Sequence, residues 1–229
     1  MFLYGYGPQL LQGLLVTLAL SLASLLLAFV LGLVSASMRL SKSIWLARCS
    51  SLYTTLIRGV PDLVTMLILF YGVQMLLNHV TESLAWSQIT IDPFAAGVLT
   101  LGFIYGAYFS ETFRGAFLAL PKGPIEAAHA FGMRPGKVFV RIVFPQLMRF
   151  ALPGIGNNWQ VLMKSTALVS IIGLNDLVRV ANQAGKASYQ FFFFIGISAL
   201  IYLALTTCSM WLLRRMERHY STGMKVAQL

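Results

Sequence analysis

Four stretches of this chain contain no Asp, Glu, Lys or Arg: residues 1–38, 63–81, 93–110 and 187–213. Crossing the hydrocarbon core of a bilayer as a helix takes roughly 20 apolar residues, and these runs approach or exceed that length. Composition agrees: 58% of the residues are hydrophobic and 10% are charged, with a mean hydropathy of +0.76. A soluble domain of 229 residues could not bury so much apolar surface, so the expected class is an all-α, polytopic membrane bundle.

The first run differs from a secretory signal, because no basic residue precedes it and it is too long for a signal core; it is read as a retained first span. The net charge of +10 would fit phosphate binding in a soluble protein. In a membrane chain it is the excess of basic residues held in cytoplasmic loops, and no nucleic-acid partner is expected. Cys49 and Cys208 lack metal-ligand spacing and are expected near the cytoplasmic side, where disulfides are rare. His79, His129 and His219 belong to no metal-spaced set, and neither a metal nor a cofactor is expected.

Five spans fit the pattern, at about 10–38, 51–78, 93–120, 146–172 and 190–213, within one transmembrane domain covering 1–229. Arg58, Pro61 and Asp62 interrupt the second, which is expected to be two pieces joined at a bend, since Pro61 lacks a backbone donor. Arg39, Lys42 and Arg48 fall in the first loop. Lys122, Arg134, Lys137 and Arg141 fall in loop 121–145, and Arg214, Arg215, Arg218 and Lys225 in the tail. Residues 1–9 carry no Lys or Arg, and 79–92 carry only Glu82 and Asp92 as charges. The positive-inside rule then puts the N-terminus outside and the C-terminus in the cytoplasm. Segment 173–189, with Asp176, Arg179 and Lys186, is an outer loop that fits this rule imperfectly.

Loop 121–145 has a structure of its own. Glu126, Ala127, Ala128, His129, Ala130 and Phe131 are helix material, and Gly132 offers the left-handed conformation that ends a helix. Val138, Phe139, Ile142 and Val143 follow at helical spacing, and Pro145 marks entry to the next span. Two short helices meeting at Gly132 would form a cytoplasmic knob, with Glu126 opening the first where a carboxylate complements the free N–H groups.

The spacing in this loop resembles the signature of binding-protein-dependent ABC importers: Glu-Ala-Ala, three residues, Gly, nine residues, Ile, one residue, then Leu-Pro. Glu126, Ala127, Ala128, Gly132, Ile142 and Pro145 match it, with Phe144 in the Leu position. The resemblance implies the type I importer fold, five spans and a cytoplasmic coupling helix seated in a cleft of an ABC ATPase subunit. The stretches 53–61, 107–115 and 156–168 are similar to segments of polar amino acid permeases. With Asp62 and 103–111 included, the chain looks closest to the Q-type subunits of histidine/lysine/arginine/ornithine permeases. Opine importers share this branch. What the resemblance implies is a subunit that moves amino acids, basic ones foremost, across a bacterial inner membrane. Its partners would be ATPase subunits in two copies, a related permease chain or a second copy of itself, and a periplasmic solute-binding protein.

Charged groups at membrane depth are costly and usually face a partner or a watery path. Arg58, Asp62, Glu111, Lys164, Ser165 and Thr166 are the candidate pathway residues. Glu111 and Arg114, three apart on one helix, can pair with each other. Lys164, Ser165 and Thr166 either line the path or tie helices together. Similar permeases carry Asp at the position of Ser165, so an anionic role there is absent. Asp62 either balances Arg58 or attracts a cationic solute. No G-x-x-x-x-G-K-[ST] sequence occurs, so no phosphate cradle is formed, and no catalytic residue set is evident. A secondary transporter, or a membrane enzyme, is the competing class. The first would call for internal repeats and the second for a nucleophile–base or metal constellation.

Overall fold

The computed structural model describes residues 2–220, and every regular element among them is helical. Lys225, counted above among the tail's charges, lies outside the described residues. Five helices are long and apolar enough to cross a membrane: Gly7–Arg39, Asp62–Ser83, Pro93–Leu118, the composite Pro135–Ile172, and Phe191–Tyr220. We label them α1 (Gly7–Arg39), α3 (Asp62–Ser83) and α4 (Pro93–Leu118), with α2 (Ile44–Gly59) between the first two. After α4 come α5 (Lys122–Ala130), α6 (Pro135–Val138), α7 (Phe144–Ser165), α8 (Leu177–Ala187) and α9 (Phe191–Tyr220).

The break expected at Pro61 is present. Val60 is extended (φ −112°, ψ 141°), as steric conflict with the following proline ring requires. It leaves a separate 16-residue α2, ending in Arg58 and Gly59. The crossing helix therefore starts only at Asp62, later than the expected 51.

Helix α4 is the axis of the bundle. Leu101, Ile104, Tyr105, Ala107 and Phe109 are all essentially inaccessible, and α1 packs along it. The face of α1 turned inward is made of small residues: Gly13, Thr17, Ser21, Ser24, Ala28, Gly32 and Ala36 are buried. Its outward face carries Leu11, Leu15, Leu22, Leu26 and Val30, all exposed. This is the reverse of a soluble amphipathic helix. Lipid tails are as apolar as leucine, so association in a bilayer comes from close packing of small residues rather than from expulsion of water. A buried hydroxyl cluster adds to it. Ser110 of α4 donates to Ser35 of α1 at 2.9 Å, and Ser50 of α2 lies 2.8 Å from the same oxygen.

Gly32 shows how close the approach is. A Cβ there would lie 2.5 Å from the Cβ of Phe109 and 3.1 Å from its backbone carbon. Gly32→Val is therefore expected to cost about 1–3 kcal/mol through overpacking, read as a lower melting midpoint in detergent. Gly115→Ala, with nothing within 4 Å of the added carbon, should not lower it.

Segment 173–189 is not a simple outer loop but contains the helix α8, resting on α1 and α9. Asp176 caps it, accepting from the backbone N–H groups of Val178 and Arg179 at 3.2 and 3.1 Å. Leu177, Val180, Ala181 and Ala184 are buried at the i, i+3, i+4, i+7 spacing of one helix face. The backbone N–H of Leu177 donates to Thr17 of α1, which anchors the helix start. Burial raises the Asp176 carboxyl from 3.8 to about 6, against the lowering effect of those N–H groups. A carboxyl raised on folding holds its proton more tightly in the folded chain. Its favourable contribution is full below 3.8 and lost as pH rises through about 6.

Candidate functional site

Two regions gather the residues singled out in the sequence. The first is the knob between α4 and α7. Gly132 has φ +74°, the left-handed turn that glycine adopts without penalty. Its N–H donates to the carbonyl of His129, and that of Met133 donates to Ala128, closing the end of α5. Of the signature residues, Ala128 is buried, while Glu126, Ala127 and Gly132 are exposed. Two expectations are corrected. Glu126 does not open the helix, because α5 begins at Lys122, with Pro124 in the first turn where its missing donor costs nothing. Glu126 thus sits mid-helix, away from the free N–H groups. Nor is there a second separate short helix: α6 runs on through a π-helical turn, Phe139–Val143, into α7.

The physical cause of that turn is Pro145, the second residue of α7. Its ring has no N–H and conflicts with the carbonyl four residues earlier. The chain accommodates it by widening: the N–H of Phe144 donates to Phe139, five residues back. Ile142 lies within the wide turn and is half-buried, as is Pro145. The sequence reading counted Phe131 only as helix material. It sits between α5 and Gly132 and is 88% exposed, the largest apolar projection of the knob. Its signal was available, as a bulky apolar residue directly before a turn glycine has no helix face to pack against.

The second region lies where α3, α4 and α7 meet. Asp62 opens α3, and its carboxylate accepts from Tyr105 at 2.9 Å and, at 3.4 Å, from Tyr108. Tyr105 is also 2.6 Å from the Ser165 hydroxyl, so one phenol bridges three helices. Arg58 does not pair with Asp62. Its guanidinium lies over the Tyr108 ring, 5.5 Å from the centroid, a cation–π contact. Both tyrosines stack at 5.5 Å. Glu111 and Arg114 form the expected ion pair at 2.8 Å. Arg39, Thr54, Arg58, Tyr108 and Glu111 line an open cleft of 460 Å³.

Lys164 is exposed on α7, on the same strip as Pro153, Asn157 and Val161. Thr166 is placed differently from its neighbours. It is fully buried, donating to the Met163 carbonyl and lying 3.3 Å from the Tyr202 hydroxyl of α9. Its side chain ties helices together instead of facing open space.

Comparison with known proteins follows the same lines. The family model for the binding-protein-dependent transport system inner membrane component matches residues 28–222. The chain is 57% identical to the histidine/lysine/arginine/ornithine transport system permease protein HisQ of Escherichia coli (strain K12), over 99% of this chain and all of that one. It is 38% identical to the arginine ABC transporter permease protein ArtQ of Haemophilus influenzae, covering 90% of this chain and 91% of the relative. Identity to the octopine transport system permease protein OccQ of Agrobacterium tumefaciens is 36%, over 96% and 94%. Among solved structures, an amino acid ABC transporter with histidines superposes with a TM-score of 0.78 at 31% identity, covering 93% of this chain and 95% of the other.

Proposed function

This chain belongs to the family of binding-protein-dependent inner membrane transport components, and on that premise we propose that it is the channel-forming permease of an ABC importer for basic amino acids. Histidine, lysine, arginine and ornithine are the solutes, and ATP hydrolysis on a separate subunit drives their import. The observation that carries this reading is the 57% identity sustained over 99% of the chain. Opine transport fits less well, since the octopine permease shares 36%.

The knob supports a coupling role for Glu126, Ala127, Ala128, Gly132, Ile142 and Pro145. A rigid short helix ending in an exposed phenylalanine offers an ATPase cleft an apolar anchor, the feature that dominates protein interfaces. The strip on α7 supports a second permease chain. Asn157 and Lys164 are exposed at membrane depth, and polar groups there face a partner or water rather than lipid. Two such subunits, related by a two-fold axis, enclose a path, and two ATPase copies then serve two knobs. A periplasmic binding protein delivers solute at the outer face. The basic loops favour an outside N-terminus and a cytoplasmic C-terminus.

Within the path, Arg58, Asp62, Glu111, Lys164 and Ser165 provide both signs of charge that a zwitterionic basic solute requires, and Thr166 stands behind them. Asp62 is the group suited to the cationic side chain, because its lone pairs are only partly taken by two phenols.

Reconstitution tests the whole reading. The chain alone is expected neither to bind nor to hydrolyse ATP. With its ATPase, sister permease and binding protein in liposomes, it should give hydrolysis stimulated by basic amino acids. Uptake by the chain alone would overturn the proposal.

A further inference from the structure

Helix α9 packs on α7 through Leu213, whose side chain would lie 3.2 Å from a Cβ placed on Gly156. Its opposite side is unpartnered and changes character along its length. Leu200, Leu203 and Ala204 line an apolar hollow of 590 Å³ that continues through Thr207 to Trp211. Directly beyond lies a second hollow of 520 Å³, sharing Thr207 and Trp211 and walled by Arg214, Arg215 and Arg218. Residues 207, 211, 214 and 218 recur at alternating four- and three-residue steps, so they form one strip. Leu200, Leu203 and Trp211 are each more than 60% exposed. The Arg215 guanidinium lies 5.8 Å from the Trp211 ring. None of the three arginines makes an ion pair among the described residues, and Glu217 stands four residues after Leu213, on the side of α9 nearer to α7.

We propose that this strip is a binding site for an anionic phospholipid. An acyl chain lies along the lane left shallow by Ala204 and Thr207. The phosphate sits among Arg214, Arg215 and Arg218, and Trp211 marks the boundary between the two. Each part meets a different part of the ligand. The apolar lane satisfies hydrocarbon, the indole occupies the interface where amphipathic rings collect, and clustered guanidinium groups bind phosphate oxygens with paired donors. Basic clusters immediately beyond a membrane span recognise anionic lipid in this way. A free phosphate would use the arginines and leave the lane unoccupied. A sister subunit would cover the small residues and leave three cations without counter-charge.

The test uses the assembled transporter, delipidated and titrated with phosphatidylglycerol or with phosphatidylcholine of the same acyl chains, and read by native mass spectrometry. The wild type is expected to bind phosphatidylglycerol at least tenfold more tightly. Arg214→Gln/Arg215→Gln/Arg218→Gln should abolish that preference and leave phosphatidylcholine binding unchanged, whereas the triple Lys variant, which keeps the charge without the paired donors, should retain the preference at lower affinity. Ala204→Trp fills the lane with the charges intact and should weaken phosphatidylglycerol binding by a similar factor. Millimolar inorganic phosphate should not displace the lipid. Equal affinity for the two lipids, no response to the Gln triple, or displacement by phosphate would each overturn the proposal. So would protection of the exposed Cys208 from a lipid-soluble maleimide in the lipid-free complex, because a protein chain would then cover the strip.

Discussion

Gly132→Asp is expected to abolish solute uptake while the permease inserts normally. At φ +74° a side chain costs up to about 1–2 kcal/mol. Aspartate tolerates that region better than most residues, so strain is only part of the effect. Nothing lies within 4 Å of an added Cβ at this position, so the new carboxylate projects from the knob itself. A buried unpaired charge in the docking cleft would then oppose assembly. Co-purification of ATPase with tagged permease should fall at least tenfold, equivalent to about 1.4 kcal/mol, alongside vesicle transport at background. Phe131→Ala separates anchor from turn. It keeps the glycine geometry and should lose about 2 kcal/mol of docking, roughly 30-fold in affinity. Normal ATPase retention by both variants would make residues 126–145 an ordinary loop.

Asp62→Asn is expected to lower uptake of lysine and arginine more than tenfold while histidine, neutral above its ordinary pKa, falls less. The substitution keeps an oxygen able to accept from Tyr105 and removes only the charge. The measurement is uptake of each solute at pH 8 by vesicles holding equal amounts of assembled transporter. A uniform loss across the three solutes would assign Asp62 to helix packing through Tyr105 and Ser165 rather than to selectivity. Tyr105→Phe supplies the comparison: it cuts the link between α3, α4 and α7 and should affect all solutes alike.

How far the sequence alone reached depended on whether the determining contact was local. The crossing helices were legible because charge-free length is a property of the run itself. So was the break at Pro61, since a proline acts on its own backbone and its predecessor. The turn at Gly132 was legible for the same reason. Asp62 was not, because its partner Tyr105 lies 43 residues away while Arg58, four residues away, drew attention instead. The start of α5 was misplaced because Glu126 resembles a helix-opening acid, whereas Pro121 and Pro124 marked the true beginning. Helix α8 went unread because segment 173–189 is too short to cross a bilayer, and its charges, an imperfect fit to an outer loop, drew the attention instead. Only its cap at Asp176 and the spacing of Leu177, Val180, Ala181 and Ala184 disclose it.

The wide turn at Phe139–Val143 sets the rotational phase between the knob and α7. An α-helix advances 100° for each residue, at 3.6 residues per turn. A π turn holds one residue more than that pitch allows. If Phe144 exchanged its bond to Phe139 for one to Val140, the spare residue would pass along the rod and α5 would swivel by about 100° relative to α7. Pro145 keeps the spare residue parked beside the knob by offering no hydrogen that could close the ordinary pitch. The surplus residue is therefore held at one place in the 38-residue rod, between the knob and the stretch that bears Lys164 and Ser165.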